Sequence, residues 1–294
     1  MNTIKTVDLP DVQSMLSPSK FKLTRVGVTG VKKQIHIKRP TKPTNPLIVN
    51  MDLFVDLPAS QKGSHMSRNI ELISEIIDSN IKKPISDLES FCAKTATLLL
   101  KKHEYATISE VKAEAEYFLE TTYPSGKKGS EPYKLIAEAR AKNTGEVKKL
   151  IGVKATGMTA CPCAMEVIRK IDPRTKNCPA PTHNQRNLGT LMIEVPENDR
   201  SVDADDLLHI VETSFSTPTY SLLKRKEEGE LVLHAHQHPK FVEDVVRDML
   251  SQILAKYKNL PDDVVVIARS ESEESIHKHN AYAERVTTLG ELRK

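Results

Sequence analysis

Cys161-Pro162-Cys163 brings two of the chain's four cysteines to within one residue of each other, across a proline. Proline fixes its own φ and disfavours helical backbone in the residue before it, so a stiff, extended or turn-like tripeptide is expected. Side chains on so short a spacer diverge, which disfavours a mutual disulfide. Two thiols held in this way can divide two tasks, one as a thiolate on a metal ion, the other in proton transfer or substrate contact. The plainer reading is a pair of small buried apolar residues.

Downstream, Thr182-His183-Asn184-Gln185-Arg186 is a polar cluster at the entry to an apolar strand. Imidazole and thiolate together suit zinc or ferrous iron, although a histidine at a strand entry also serves as an ordinary surface residue. The charge run Leu222-Leu223-Lys224-Arg225-Lys226-Glu227-Glu228 could add a carboxylate. Three protein ligands with one open position make a catalytic rather than a structural metal site. For Lys226 and Glu227 a solvated face is the preferred reading. His234, His236 and His238 alternate, which on a strand puts them on one face, as a metal comb or, preferably, as an exposed polar row. In Glu274-Ser275-Ile276-His277-Lys278-His279-Asn280 an acid precedes two histidines. Carboxylate and imidazole shift each other's pKa and make a general acid/base pair; the alternative is a polar loop.

The elements that must position these residues follow from periodicity. Residues 1–20 are polar with Pro10 and Pro18 and read as an arm. Phe21 to Ile37 is rich in β-branched residues, with bends expected at Gly27 and Gly30. After a turn-rich stretch from Arg39 to Asn45, Val49, Met51, Leu53, Val55 and Leu57 alternate with polar residues as a strand, so a hairpin is expected. Ile70, Ile73, Ile76 and Ile77 switch to helical spacing. A second helix carries Leu88, Phe91, Cys92, Leu98 and Leu99, with Thr95 as the polar member of that face and Ser86/Glu89 as a capping box. Strands over 104–122 and 131–142 flank a Pro124-Ser125-Gly126 turn. The second half predicts strands at 146–158, 187–195, 264–268 and 281–286, and helices near 202–214 and 239–257. The fold class is α+β, read as an arm (1–20) and two sheet-plus-helices units (21–145 and 146–294, the second with the Cys-Pro-Cys site) that form one continuous structural domain.

Composition narrows the partners. At 294 residues, 38% hydrophobic and 28% charged, the chain can bury its own core. A net charge of +4, from 43 basic and 39 acidic residues, does not argue for nucleic acid, and 4% aromatic residues without tryptophan give no stacking platform. A phosphorylated small substrate would suit positive charge gathered in a pocket. No apolar run is long enough to span a membrane, the start lacks a signal-peptide core, and four scattered cysteines point to a reducing cytoplasm.

Several segments taken together resemble the type IB GTP cyclohydrolase family, with the closest likeness to its archaeal, methanopterin-pathway branch. They are Asp11-Val12-Gln13, Leu23 to Gly30, Gly63-Ser64-His65-Met66-Ser67-Arg68-Asn69, Cys161-Pro162-Cys163, His183 to Arg186, Leu222 to Arg225, Phe241-Val242-Glu243-Asp244 and Ser275-Ile276-His277. The resemblance implies a tunnelling fold, in which copies assemble as a dimer or tetramer around a β-barrel with active sites between subunits. It implies GTP as substrate, opened at C8 of the guanine with loss of formate. The product would be a dihydroneopterin phosphate, either the cyclic phosphate or the triphosphate. Cys161, His183 and Glu228 would hold one divalent metal per subunit, Fe(II) being favoured and zinc or manganese permitted. Glu243 would accept the guanine N–H groups and lies at the border of the apolar helix face, a place for a half-buried anchor. Cys163, Glu274 and His277 would move protons, and His65 with Arg68 would approach the substrate. Two features depart from the family pattern. The interval from Cys163 to His183 is longer than in bacterial relatives and contains Cys178, and Lys226-Glu227-Glu228 stands where Pro-Asp-Glu is usual, which leaves Glu227 as a rival to Glu228. A contrasting reading is a non-catalytic purine- or pterin-binding protein of the same fold with a structural zinc.

Overall fold

The computed structural model describes residues 10–37, 45–82, 87–175, 180–197, 199 and 201–294. Cys178, Ser86 and most of the turn expected from Arg39 to Asn45 lie outside the described residues. The chain divides into two compact units, Met1–Ala113 with Glu138–Lys149, and Glu114–Ala137 with Leu150–Lys294.

In the first unit, β1 (Leu23–Ile37) and β2 (Asn45–Leu57) form the expected antiparallel hairpin, with Leu23 opposite Leu57 and Ile37 opposite Asn45. The register shifts between Val28 and Val31, where Gly30 takes a φ of 70° that a side chain would resist. The alternating residues of β2 turn Val49, Met51, Leu53 and Val55 into the core, which also takes Ile73, Phe91 and Leu99 from two helices. These are α1 (Met66–Lys82) and α2 (Leu88–Lys102), which pack on β1 and β2 respectively and on each other. The N-cap of α2 is Asp87, whose carboxylate accepts the Ser90 N–H at 2.8 Å. Thr95 is fully buried and donates its hydroxyl to the Phe91 carbonyl. The sheet continues through the start of β3 (Ile108–Thr122) and the end of β4 (Lys128–Lys142), in the order β1-β2-β3-β4.

The second unit holds the rest of β3 and β4 and most of β5 (Val147–Ala160). It continues with α3 (Pro162–Ile171), β6 (Asn184–Glu194), α4 (Ala204–Ser214) and the short β7 (Thr217–Pro218). Next come α5 (Arg225–Gln237), α6 (Val242–Lys256), β8 (Val265–Glu273), β9 (Ala281–Thr288) and α7 (Leu289–Leu292). The strand order is β3-β4-β5-β6-β8-β9, with β7 added to β5. Helix α4 packs on β6, and α6 packs on α4, β8 and β9. The Phe215 ring lies against two glycines: a Cβ at Gly157 would come within 2.0 Å of it, and one at Gly189 within 2.8 Å. That close approach clamps β5 and β6 together just below their site-bearing ends.

Two expectations need correction. Cys161-Pro162-Cys163 is not extended throughout, because Pro162 opens α3 and Cys161 is its N-cap. Proline at the first helical position gives up an N–H that had no helical partner anyway, and its fixed φ already suits the helix. Cys163 is exposed and Cys161 part-exposed, so the thiols are not a buried apolar pair. His234 and His236 lie on α5, with His238 as its C-cap, rather than on a strand, so the three do not share one face.

Candidate active site

Three adjacent strand ends build the site. In β5 and β6, Ala160 pairs with Asn184, which places the next residue outward on each strand, Cys161 and His183, side by side. The Cys161 N–H donates to the His183 carbonyl at 3.1 Å, and the Thr182 hydroxyl donates to the Cys161 carbonyl at 2.7 Å. The Cys161 sulfur in turn accepts the Ala164 N–H, closing the first turn of α3. In β8, Glu273 pairs with Arg186, so Glu274 leaves the sheet beside the same strand entry. One Glu274 oxygen lies 3.7 Å from His183 Nδ1, and the two side chains are only 10% and 13% exposed. The loop after β8 brings the His277 ring edge-on to His183, centroids 6.5 Å apart, and His279 stacks on His277 at 5.2 Å. Cys161, His183, Glu274 and His277, drawn from three separate stretches of sequence, thus meet at one end of the sheet. Cys163 stands exposed in the first turn of α3 next to them in sequence.

Gln185 sets the state of His183. Its side-chain oxygen lies 2.9 Å from His183 Nδ1, so Nδ1 carries the proton and Nε2 keeps its lone pair for a ligand. Metal-bound histidines are held in this way, by a partner on the opposite ring nitrogen. A thiol, an imidazole of fixed tautomer and a nearby carboxylate suit a divalent ion of the zinc and ferrous class.

Glu228 and Glu243 reach solvent rather than this cluster. Among the described residues of one chain, no three His, Cys, Asp or Glu side chains gather as a metal-sized group. Glu228 is exposed in the first turn of α5. Its rival Glu227 is committed to the helix start, accepting the Lys224 N–H at 2.8 Å. Glu243 lies in the first turn of α6 and is exposed, not half-buried, while Val242, Val245, Val246, Met249 and Ile253 face inward. The start of α6 is nevertheless tied to the cluster, because the Lys240 N–H donates to the Ala160 carbonyl at 3.0 Å.

His65 and Arg68 belong to the first unit. There the Asp11 and Gly63 segments dock on each other: Gly63 N–H donates to the Gln13 carbonyl, and His65 Nε2 lies 2.9 Å from Asp11. Hydrogen bonds from Ser14, with further help from His65, hold the Asp11 carboxyl down at about 2. Arg68 donates to the Lys102 carbonyl at 3.0 Å. Behind them, fully buried His103 bonds Asn69 at 2.6 Å and Tyr105 at 2.8 Å, and Tyr105 bonds Ser64 at 2.7 Å. Every polar residue of that network lies in or against the stretch Ser64 to Asn69.

Sequence reasoning assigned no role to Gln185, Thr159, Asn187 or Ser272. These sit on the inward faces of β5, β6 and β8, where alternation calls for apolar residues, and that break in pattern was the available signal. Thr159, Asn187 and Ser272 are buried, and each keeps a polar atom without a protein partner.

Comparison with known proteins bears on these residues. The family described as Type I GTP cyclohydrolase folE2 matches residues 9–283. The chain is 45% identical to GTP cyclohydrolase MptA of Methanosphaera stadtmanae, across 98% of this chain and 97% of that protein. It is 44% identical to GTP cyclohydrolase MptA of Methanobrevibacter smithii, across 98% of each. In fold it is similar to the uricase of Arthrobacter globiformis, with a TM-score of 0.52 over 90% of this chain and 93% of that one. The 9% sequence identity makes this a likeness of fold alone.

Proposed function

The chain belongs to the type I GTP cyclohydrolase folE2 family, and from that premise we propose that it opens the guanine imidazole ring of GTP at C8 by hydrolysis and releases formate. The product is a 7,8-dihydroneopterin phosphate for methanopterin-type pterin synthesis. The observation that carries this reading is the meeting of Cys161, His183, Glu274 and His277 at the ends of β5, β6 and β8.

Each residue has a task that its placement suits. Cys161 and His183 are the first two ligands of a divalent ion, Fe(II) by preference, and Glu228 is the third. When bound, such an ion supplies a Lewis acid that lowers the pKa of water by several units, which a carbon as weakly electrophilic as C8 requires. Glu274 and His277 hold and return protons as C8 is hydrated, as the ring C–N bond breaks and as formate departs. Cys163, exposed beside them, is a further proton carrier. Glu243 accepts two guanine N–H groups that adenine does not present in the same pattern, and His65 and Arg68 approach the substrate.

Glu228 and Glu243 are exposed on α5 and α6, helices that also leave Leu233 and the N-cap Phe241 52% and 43% exposed. Exposure of large apolar residues on the two helices that carry these carboxylates supports a homo-oligomer in which a neighbouring copy supplies part of each active site. The tunnelling fold builds such assemblies, as a dimer or tetramer closed around a barrel. Four scattered cysteines suit a reducing cytoplasm, and no described helix is long and apolar enough to cross a membrane.

The test is anaerobic incubation of the whole protein with GTP and Fe(II), followed by mass analysis of the products. Formate and a dihydropterin phosphate are expected, and both should vanish with Cys161→Ala. No turnover with Fe(II), Zn(II) or Mn(II) would overturn the reading.

A further inference from the structure

Helix α5 carries a second set of imidazoles, remote in sequence from Cys161 and His183. It is a polar helix in which Ala235 alone is buried. Along one i, i+4 row stand Lys226, Glu230, His234 and His238. Lys226 pairs with Glu230 at 3.5 Å, and the His234 and His238 rings lie 4.3 Å apart, tilted by 36°. Both histidines are exposed. His238 Nδ1 lies 2.9 Å from the His234 carbonyl, which fixes the proton on Nδ1 and leaves Nε2 as a lone-pair donor. His236 is turned away: its Nδ1 lies 2.8 Å from the Val232 carbonyl, and its place on the helix points it to a different side.

We propose that His234 and His238 form a bidentate surface site for an imidazole-preferring divalent ion such as Ni(II), Cu(II) or Zn(II). Two imidazole nitrogens bound at about 2.0–2.1 Å to one ion must lie roughly 3 Å apart. Tilted rings one helical turn apart, with centroids at 4.3 Å, are close enough for one ion to reach a nitrogen of each once the side chains rotate to face it. Glu230, the carboxylate of the row, pairs with Lys226 at 3.5 Å in the open, and the remaining positions go to water. The pair is preorganised by the helix and by the His238 cap, so the second nitrogen binds at high effective concentration. The site is independent of the cyclohydrolase assignment, because none of its atoms belongs to that centre.

The experiment titrates Ni(II) into the full-length protein carrying Cys161→Ala and His183→Ala, which silence the central thiolate-imidazole pair, and reads stoichiometry and affinity by calorimetry. One equivalent per chain is expected. In the same background, His234→Ala or His238→Ala should weaken that binding by about tenfold or more. His236→Ala, on the same turn, should leave it unchanged. All three histidines lie outside the core, and circular dichroism verifies that each variant is folded. Equal binding by the His234→Ala variant and its parent, or an equal loss with His236→Ala, would overturn the site.

Discussion

The Cys161 N–H donates to the His183 carbonyl at 3.1 Å, so a thiol and an imidazole 22 positions apart are joined through the backbone rather than by chance approach of side chains. The ladder fixes their separation, and Gln185 fixes the ring, with its oxygen 2.9 Å from His183 Nδ1. Replacing Gln185 with leucine should leave the ladder intact and free the tautomer. Metal affinity should then fall about 10–100-fold, measured by competition with a chromophoric chelator under anaerobic conditions. Binding as tight as the wild type's would mean that Gln185 does not orient the ring.

Glu131 holds the segment that precedes α5. Buried on β4, it accepts both the Ser221 N–H at 2.9 Å and the Ser221 hydroxyl at 2.6 Å, and so anchors the loop that leads into α5 and Glu228. Glu131→Ala removes both hydrogen bonds, at a cost of about 1–3 kcal/mol in urea unfolding. Ser221→Ala removes only the hydroxyl bond and should cost about 1 kcal/mol. Turnover of GTP should fall in Glu131→Ala further than in Ser221→Ala, since only the first releases the loop backbone. Equal activities would argue that the loop is held by other contacts.

Two buried groups of the first unit give opposite pH slopes. Burial, reinforced by the charges of Arg68 and His65, pushes His103 down to about 4. Between pH 6.5 and 4 the unfolded chain takes up a proton that folded His103 refuses, so stability is complete above 6.5 and is lost as pH falls towards 4. Glu89 is pushed up to about 7 by burial and by Asp87. Between pH 4.5 and 7 folded Glu89 holds a proton that the unfolded chain has released, so its contribution falls as pH rises and then levels off. Each shift amounts to a few kcal/mol, of order 3. Thermal unfolding across pH should show His103→Gln flattening the acid-side loss, and Glu89→Gln raising Tm at pH 8 but not near pH 4.5.

Much of this fold is legible in the sequence, and the exceptions have physical causes. The hairpin and α1, α2, α4 and α6 are marked by apolar period. Strands β3 and β4 are harder to read because alanine and glutamate are poor strand formers in isolation. In the structure Ala113, Ala115, Ala137 and Ala139 face inward, while Glu110, Glu114 and Glu138 on the other face pair with Arg140, Lys134 and Lys112. Helix α5 carries no period because it buries a single residue, and α3 hides behind a proline that marks its beginning rather than a break. The thiol, the imidazole and the acid could each be nominated from composition. Their meeting is implied by the family resemblance alone and not by composition or period, since it rests on the pairing of Ala160 with Asn184 and of Glu273 with Arg186, which is decided between strands.

Glu227 and Glu228 are adjacent, alike and separable. Glu227 reaches back to accept the Lys224 N–H at 2.8 Å, satisfying a donor at the start of α5 that has no helical partner. A carboxylate so engaged is a poor candidate for a ligand, because it would have to abandon the helix end to bind. Glu228 has only its backbone in the helix, its N–H donating to the Lys224 carbonyl, and its side chain is exposed. Glu227→Ala should therefore cost about 1 kcal/mol of stability and leave turnover close to the wild type's. Glu228→Ala should leave the unfolding midpoint in place and abolish formate release. The reverse pattern would transfer the third ligand to Glu227 and require the first turn of α5 to rearrange when the metal binds.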